Sequence, residues 1–237
     1  MKKIIITLLS FLAVQSVFAD APSSFSSAKK EAMKIFSDHP QTLYCGCRFD
    51  AKKQIDLKSC GMQKASAIKR AKRIEWEHMM PAENFGRQHK CWREKLCKDS
   101  KGRAYKGRRC CGKIDKSYKQ AEAELYNLWP AVGIINQKRS NYRYSPVRGK
   151  HDTYGCDFLA DSKARKADPA DSAKGVVARA NLFMAQKYGV KLSKQQRILF
   201  IAWDRMFPPT QWEIEWAKRV AEKEGYENPY IMRAARI

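Results

Sequence analysis

Glu77 and His78 stand side by side in RIEWEHMMPAENFGRQHKCW, residues 73–92, where one of only four histidines follows a glutamate in a run of lysines, arginines and tryptophans. In a regular strand adjacent side chains leave opposite faces. The pair can therefore flank a ligand but cannot grip one atom of it together. A phosphodiester cut by in-line attack has two such sides, the incoming water and the leaving oxygen. An imidazole titrating near neutrality suits the water, and a carboxylate suits a hard cation that neutralises charge on the leaving group. Asn127, in ELYNLWP, offers an amide oxygen as a second hard ligand. One carboxylate and one amide, completed by water and phosphate oxygens, make the sparse shell that Mg²⁺ tolerates. Taken singly these signals are weak, because an asparagine at a helix end is commonly a cap.

That chemistry needs a strand under Glu77 and His78 and a helix end at Asn127. Residues 72–79 read as a strand closed by Pro81. Residues 117–127 carry Ala121, Glu124, Leu125 and Leu128 at helical spacing, with Pro130 as the stop. Between them, residues 86–113 are cysteine-bounded, rich in Gly, Lys and Arg and without a period, which predicts a long ordered loop. Upstream, Ser23 and Ser24 cap a helix that His39-Pro40 closes, and residues 41–47 read as a short strand. Residues 141–172 look irregular. Residues 174–225 look helical throughout, with Gly189 as a stop, Ser193 and Thr210 as caps and Pro208-Pro209 between two helices. Trp212 and Trp216 belong to a core, and alternation packs Trp76 under its strand. The sum is an α+β fold, mostly helical, with no repeat and no visible domain boundary.

The N-terminus, MKKIIITLLSFLAVQSVFADAP, has two lysines, a short apolar run and a small-x-small site ending at Ala19. It reads as a secretory signal peptide over residues 1–19, leaving residues 20–237 as a single domain that is exported and not membrane-bound. Export makes disulfides the natural fate of the even set Cys45, Cys47, Cys60, Cys91, Cys97, Cys110, Cys111 and Cys156. Zinc is the rival reading, but neither CGC nor CC has the usual knuckle spacing. The formal charge of +23 points to polyanionic partners. It is concentrated: residues 87–119 hold 13 Lys/Arg against the three acids Glu94, Asp99 and Asp115. A solvated loop would account for part of this, but a phosphate-tracking surface accounts for more.

The stretches RIEWEHMMPA and FGRQHKCW closely resemble the bacterial endonuclease I family of periplasmic or secreted non-specific nucleases. YCGC (44–47), NLWPAVGIIN (127–136), RSN (139–141), ARANLFMAQKYG (178–189), LSKQQ (192–196), AW (202–203), QWE (211–213) and NPY (228–230) extend the resemblance in order along the mature chain. The resemblance implies a ββα-metal (His–Me finger) core, two strands and a helix around one divalent ion, with a long disulfide-tied basic loop. It implies His78 as general base and Glu77 and Asn127 as ligands of the metal, Mg²⁺ ahead of Mn²⁺ or Ca²⁺. It further implies cleavage of DNA, and usually RNA, with little sequence preference, leaving 5′-phosphate ends; a monomer is expected independently of the resemblance.

The chain departs from the family pattern in the basic loop, where no GGR lies between Cys91 and Cys97 and KDSKGRAYKGRRCC is inserted. The arginine that holds the cleaved phosphate in relatives is therefore sought among Arg93, Arg103, Arg108 and Arg109, with Lys95 as a partial substitute, and Arg139 of the RSN match joins the expected nucleic-acid contacts. His89 is either a phosphate contact or neutral to function, whereas His39 and His151 are structural. A cysteine expected after the C-terminal WE is Ile214 here, so one bridge of the relatives is missing. The expectation is that Cys91 and Cys97 pair with Cys110 and Cys111, and Cys45 and Cys47 with Cys60 and Cys156.

Charge alone serves two other functions equally well. One is a non-catalytic cationic protein that captures nucleic acid at the cell envelope, and the other is an RNase with little action on DNA. Only Glu77, His78 and Asn127 separate a nuclease from the first.

Overall fold

The computed structural model of the chain describes residues 21–233. The expected signal peptide lies outside the described residues. Helix α1 (Phe25–Ile35) starts at Ser24, whose hydroxyl accepts from the backbone of Ser27 while the Ser27 side chain returns the bond. It buries Ala28, Ala32 and Ile35 along one stripe. Residues 41–47 do not form the expected strand. Only Gln41 bridges, to Arg48, and the chain turns with Gly46 at φ +64°, a left-handed conformation that breaks the extended run. The disulfides Cys45–Cys156 and Cys47–Cys60 pin this turn.

After the short pair β1 (Arg48–Phe49) and β2 (Ile55–Asp56) comes β3 (Ile74–His78), within the expected strand. Helices α2 (Ala82–Gly86) and α3 (Lys90–Arg93) follow, then a hairpin of β4 (Cys97–Lys98) and β5 (Ala104–Tyr105), then α4 (Arg108–Ile114). The expected loop over residues 86–113 is thus a small folded unit. Cys91–Cys111 and Cys97–Cys110 close it, so the adjacent cysteines reach different partners. All eight cysteines are paired, in the two sets of four expected.

Helix α5 (Lys116–Ala123) ends sooner than the periodicity suggests. Glu124 leaves helical geometry, its carboxylate accepts from the backbone of Tyr126, and residues 125–127 form a single 3₁₀ turn. Pro130 does not stop this helix. It sits inside β6 (Leu128–Val132), which pairs antiparallel with β3 so that Glu77 faces Trp129 and His78 faces Leu128. A two-stranded sheet leaves an edge where a missing N–H costs nothing, and the Pro130 carbonyl accepts from Leu43. The chain then passes directly into α6 (Gly133–Arg139). A Cβ at Gly133 would come 2.6 Å from the Arg70 carbonyl, so only glycine permits α6 to pack this close.

Residues 141–172, expected to be irregular, contain β7 (Arg143–Tyr144), β8 (Phe158–Asp161) and β9 (Lys166–Pro169), with β9 central, antiparallel to β8 and parallel to β7. Helices α7 (Asp171–Lys187), α8 (Lys194–Met206), α9 (Gln211–Glu224) and α10 (Pro229–Met232) complete the chain, with Ser193 and Thr210 capping α8 and α9 as expected. An aromatic cluster joins the β3–β6 pair to the helices: Phe36 lies 5.0 Å from Trp129, Trp129 4.7 Å from Trp216, and Tyr126 5.0 Å from Phe183 between ring centroids. Trp216 is fully buried and Trp76 packs against Phe36, as their spacing suggests. Each such side chain contributes about 2–3 kcal/mol by burial. The architecture is mixed α and β with helix predominating. No helix among the described residues is long and apolar enough to cross a membrane.

Candidate active site

Alternation along β3 divides its side chains between two faces. Glu75 and Glu77 share one face, against α6, on which Asn136 and Arg139 stand one turn apart. Asn136 donates to Glu75 at 3.2 Å, and Arg139 Nη1 lies 2.7 Å from Glu77 Oε1. The same Glu77 oxygen accepts from the Tyr44 hydroxyl at 2.7 Å, and that hydroxyl is 2.6 Å from Tyr144 Oη. Glu77 is buried, which pushes its carboxyl up, while Arg139 and the tyrosine hydroxyls pull it back.

Arg139 therefore has a different place from the one expected. It is 1% exposed, donates to the carbonyls of His78 at 2.9 Å and Met79 at 2.6 Å, and its guanidinium lies over the Tyr144 ring. It cannot meet nucleic acid. Its part is to fix the end of β3 and to neutralise Glu77.

His78 lies on the opposite face of the strand, with its ring 4.8 Å from that of Phe25. Its Nε2 is 2.9 Å from the Glu122 carbonyl oxygen. A carbonyl only accepts, so Nε2 carries the proton and Nδ1 the lone pair. Burial first, and the Arg108 cation second, lower the pKa of His78 to about 3. The imidazole is therefore held neutral at physiological pH with its Nδ1 lone pair free, and it is a weaker base than the near-neutral histidine expected from the sequence, because burial disfavours its charged form.

The Asn127 side chain is taken up by hydrogen bonds inside the fold. It is fully buried, its Oδ1 accepts from Met80 N at 2.6 Å, and its Nδ2 donates to Met80 O at 3.0 Å. Both ends of the amide are committed to one residue's backbone, where they hold the chain as it leaves β3. Asn136 is the amide placed over the carboxylate face. Its Nδ2 serves Glu75, and that bond does not use Oδ1. Sequence reasoning passed over Glu75 and Asn136, although the two-residue and three-residue spacings to Glu77 and Arg139 were signals for both.

Asn136 and Glu75 line a cavity of about 630 Å³ whose wall also carries Phe25, Lys29, Arg70 and Arg108. Arg108 alone among the expected phosphate contacts borders it. Its Nε donates to Glu122 at 2.6 Å and its guanidinium lies 5.1 Å from the Phe25 ring, so it stands over the same two residues that surround His78. Arg93 donates to the Arg87 carbonyl, Arg103 is paired with Asp99, Arg109 rests over Tyr105, and Lys95 is exposed in the basic unit. None of these four lines the cavity. The other histidines are structural in their contacts: His89 pairs with Asp115, His39 stacks on Trp212, and His151 lies between Asp157 and Asp168.

Among the described residues no group of three or more His, Cys, Asp or Glu side chains is arranged to hold a metal ion. The donor set facing α6 is two carboxylates and one amide, all hard oxygens, and it fits an ion such as Mg²⁺ that keeps most of its water. Chemically, a neutral imidazole on one face of a strand, carboxylates on the other and a cationic wall are the parts needed to bind and hydrolyse a phosphodiester.

The family model described as Endonuclease I matches residues 7–235. The chain is 40% identical over 228 residues to an extracellular deoxyribonuclease of Aeromonas hydrophila, covering 94% of each chain. It is 39% identical to a periplasmic deoxyribonuclease of the same organism, over 94% of this chain and 91% of that one. It is also 39% identical to Endonuclease-1 of Buchnera aphidicola subsp. Acyrthosiphon pisum (strain APS), over 89% and 81% of the two chains.

Proposed function

Since the chain belongs to the endonuclease I family, we propose that it is an exported, metal-dependent endonuclease that hydrolyses DNA, and RNA as well, with little sequence preference. It is a hydrolase acting on phosphodiester bonds, in keeping with the deoxyribonucleases and endonucleases it resembles. The observation that carries the reading is the Glu122 carbonyl at His78 Nε2, which leaves Nδ1 as the basic nitrogen.

In this proposal β3, β6 and α6 form the ββα-metal core. Glu77 and Asn136 would hold one divalent ion, Mg²⁺ ahead of Mn²⁺ or Ca²⁺, with Asn136 in the place first expected of Asn127. The bound ion would neutralise charge on the phosphate and the leaving oxygen. His78 Nδ1 takes a proton from the attacking water, and the Glu122 carbonyl holds the ring while it does so. Arg108 receives the phosphate oxygens and Phe25 shields the imidazole from bulk water. Attack by water with a 3′-oxygen as leaving group gives 5′-phosphate ends. The chain acts as a monomer, and it works in the periplasm or outside the cell, a location that the names of its relatives support.

Digestion of plasmid DNA and of RNA with Mg²⁺, Mn²⁺, Ca²⁺ or excess chelator tests the reading. Cleavage of both polymers with a metal and none with chelator is expected, with 5′-phosphate on the products. Full activity in chelator would overturn metal dependence, and binding without cleavage under every condition would leave the cationic capture protein.

A further inference from the structure

Next in the chain to Ser140, which borders the Asn136 cavity, Asn141 lines a second concavity of about 610 Å³ together with Arg87, Arg143, Arg165, Asn84 and one carboxylate, Glu83. The three arginines come from three places in the chain: the end of α2, β7, and the turn between β8 and β9. Their convergence is built. Arg143 N donates to the Arg165 carbonyl at 3.1 Å, and Arg165 Nη2 donates to Asn141 Oδ1 at 2.8 Å while its guanidinium lies over Tyr142. Asn141 Nδ2 bonds to Glu83, and Glu83 pairs in turn with Arg87. One carboxylate thus orients two guanidiniums through a single hydrogen-bonded chain, and it cannot neutralise three. The Arg143 side chain has no ion pair or hydrogen bond among the described residues. Arg165 holds φ +53°, a conformation cheaper for glycine, so this turn keeps a cationic side chain at a backbone cost.

We propose that this concavity is a second phosphate site, which binds a backbone phosphodiester of the nucleic acid away from the bond being cut. The inference rests on the nuclease reading and deepens it. Guanidinium forks match phosphate oxygens in pairs, which suits Arg143 and Arg165 to such a ligand. The distance is also suitable. Glu83 follows His78 by five residues, so the two Cα atoms are at most about 18 Å apart. A duplex strand rises about 3.4 Å per nucleotide, so the site lies within a few phosphates of the scissile one. Asn141 follows by two residues the arginine that bonds the carbonyls of His78 and Met79, which joins the second site to the first by a short segment.

The test measures duplex DNA binding against salt in the His78→Ala protein, with and without Arg143→Ala/Arg165→Ala, and with Lys191→Ala/Lys218→Ala as a control of equal charge. The logarithmic salt slope should fall by about 0.9 for each phosphate that the arginine pair no longer neutralises, and by less in the lysine pair. With His78 intact, the arginine pair should raise KM for long DNA and leave hydrolysis of bis(p-nitrophenyl) phosphate unchanged. Equal slopes in the two double variants would overturn the site. Weakened binding of inorganic phosphate or a mononucleotide with an unchanged DNA slope would overturn a strand contact in favour of a free phosphate ligand. If the unsubstituted protein fails to cut DNA, the nuclease reading falls on that result alone, while the slope still decides the site.

Discussion

The Nε2 atom of His78 lies 2.9 Å from the carbonyl oxygen of Glu122, 44 residues further along the chain. The contact fixes the ring tautomer and its orientation at once. It also ties the proposed general base to α5, and through the Glu122 carboxylate to Arg108. A backbone carbonyl suits this task because no substitution of a side chain removes it directly.

The two asparagines should separate by what each loses. Asn127→Ala leaves the Met80 backbone N–H and carbonyl unpaired in the interior, at a cost of about 2 kcal/mol or more. Thermal melting should show a fall of several degrees for that variant. Asn136→Ala should melt near the parent protein yet bind Mn²⁺ more weakly by titration and cut DNA more slowly. The reverse pattern would return the ligand role to Asn127.

Arg108 borders the carboxylate cavity and Arg103 does not. Arg108→Ala should therefore lower kcat on plasmid DNA about 100-fold, the scale of removing one donor from developing charge. Arg103→Ala, which frees only a surface pair with Asp99, should change it less than about threefold. Equal losses in the two variants would place the phosphate elsewhere.

Glu124 and Glu224 share the Tyr226 hydroxyl, at 2.7 and 3.0 Å, in a mostly buried pocket. Burial, and then the neighbouring Glu124, push Glu224 up to about 7. Its folded pKa lies above the unfolded value, so the folded chain holds the extra proton. The stabilisation is present below about pH 4.5 and is lost as pH rises towards 7. The effect is about 3 kcal/mol. Glu224→Gln keeps an acceptor for the Leu125 N–H and removes the ionisation, so its Tm advantage over the parent should grow from pH 5 to pH 8. A gap that does not change with pH would refute the shift.

Much of this architecture was legible because it rests on local rules. Alternation and Pro81 located β3, and Ser24, Ser193 and Thr210 announced their helices by cap chemistry. The basic unit was not legible. Its hairpin strands have two residues each and its helices are short, so two disulfides rather than any period define its shape. The irregular reading of residues 141–172 failed for the same reason, since Arg143–Tyr144 is too short to alternate. The second ligand was ambiguous on chemistry. NLWPAVGIIN begins and ends on asparagine, and only the fold shows that Asn127 closes on Met80 while Asn136 faces Glu75. Arg139 misled because a surface role is the usual one for arginine.

Cleavage and binding measured together on His78→Ala decide whether this imidazole activates the attacking water. The variant should lose at least about 100-fold in plasmid hydrolysis with Mg²⁺ while keeping the DNA affinity and salt slope of the parent in chelator. Hydrolysis at the parental rate would show that this imidazole does not activate the water and that β3 does not carry the general base.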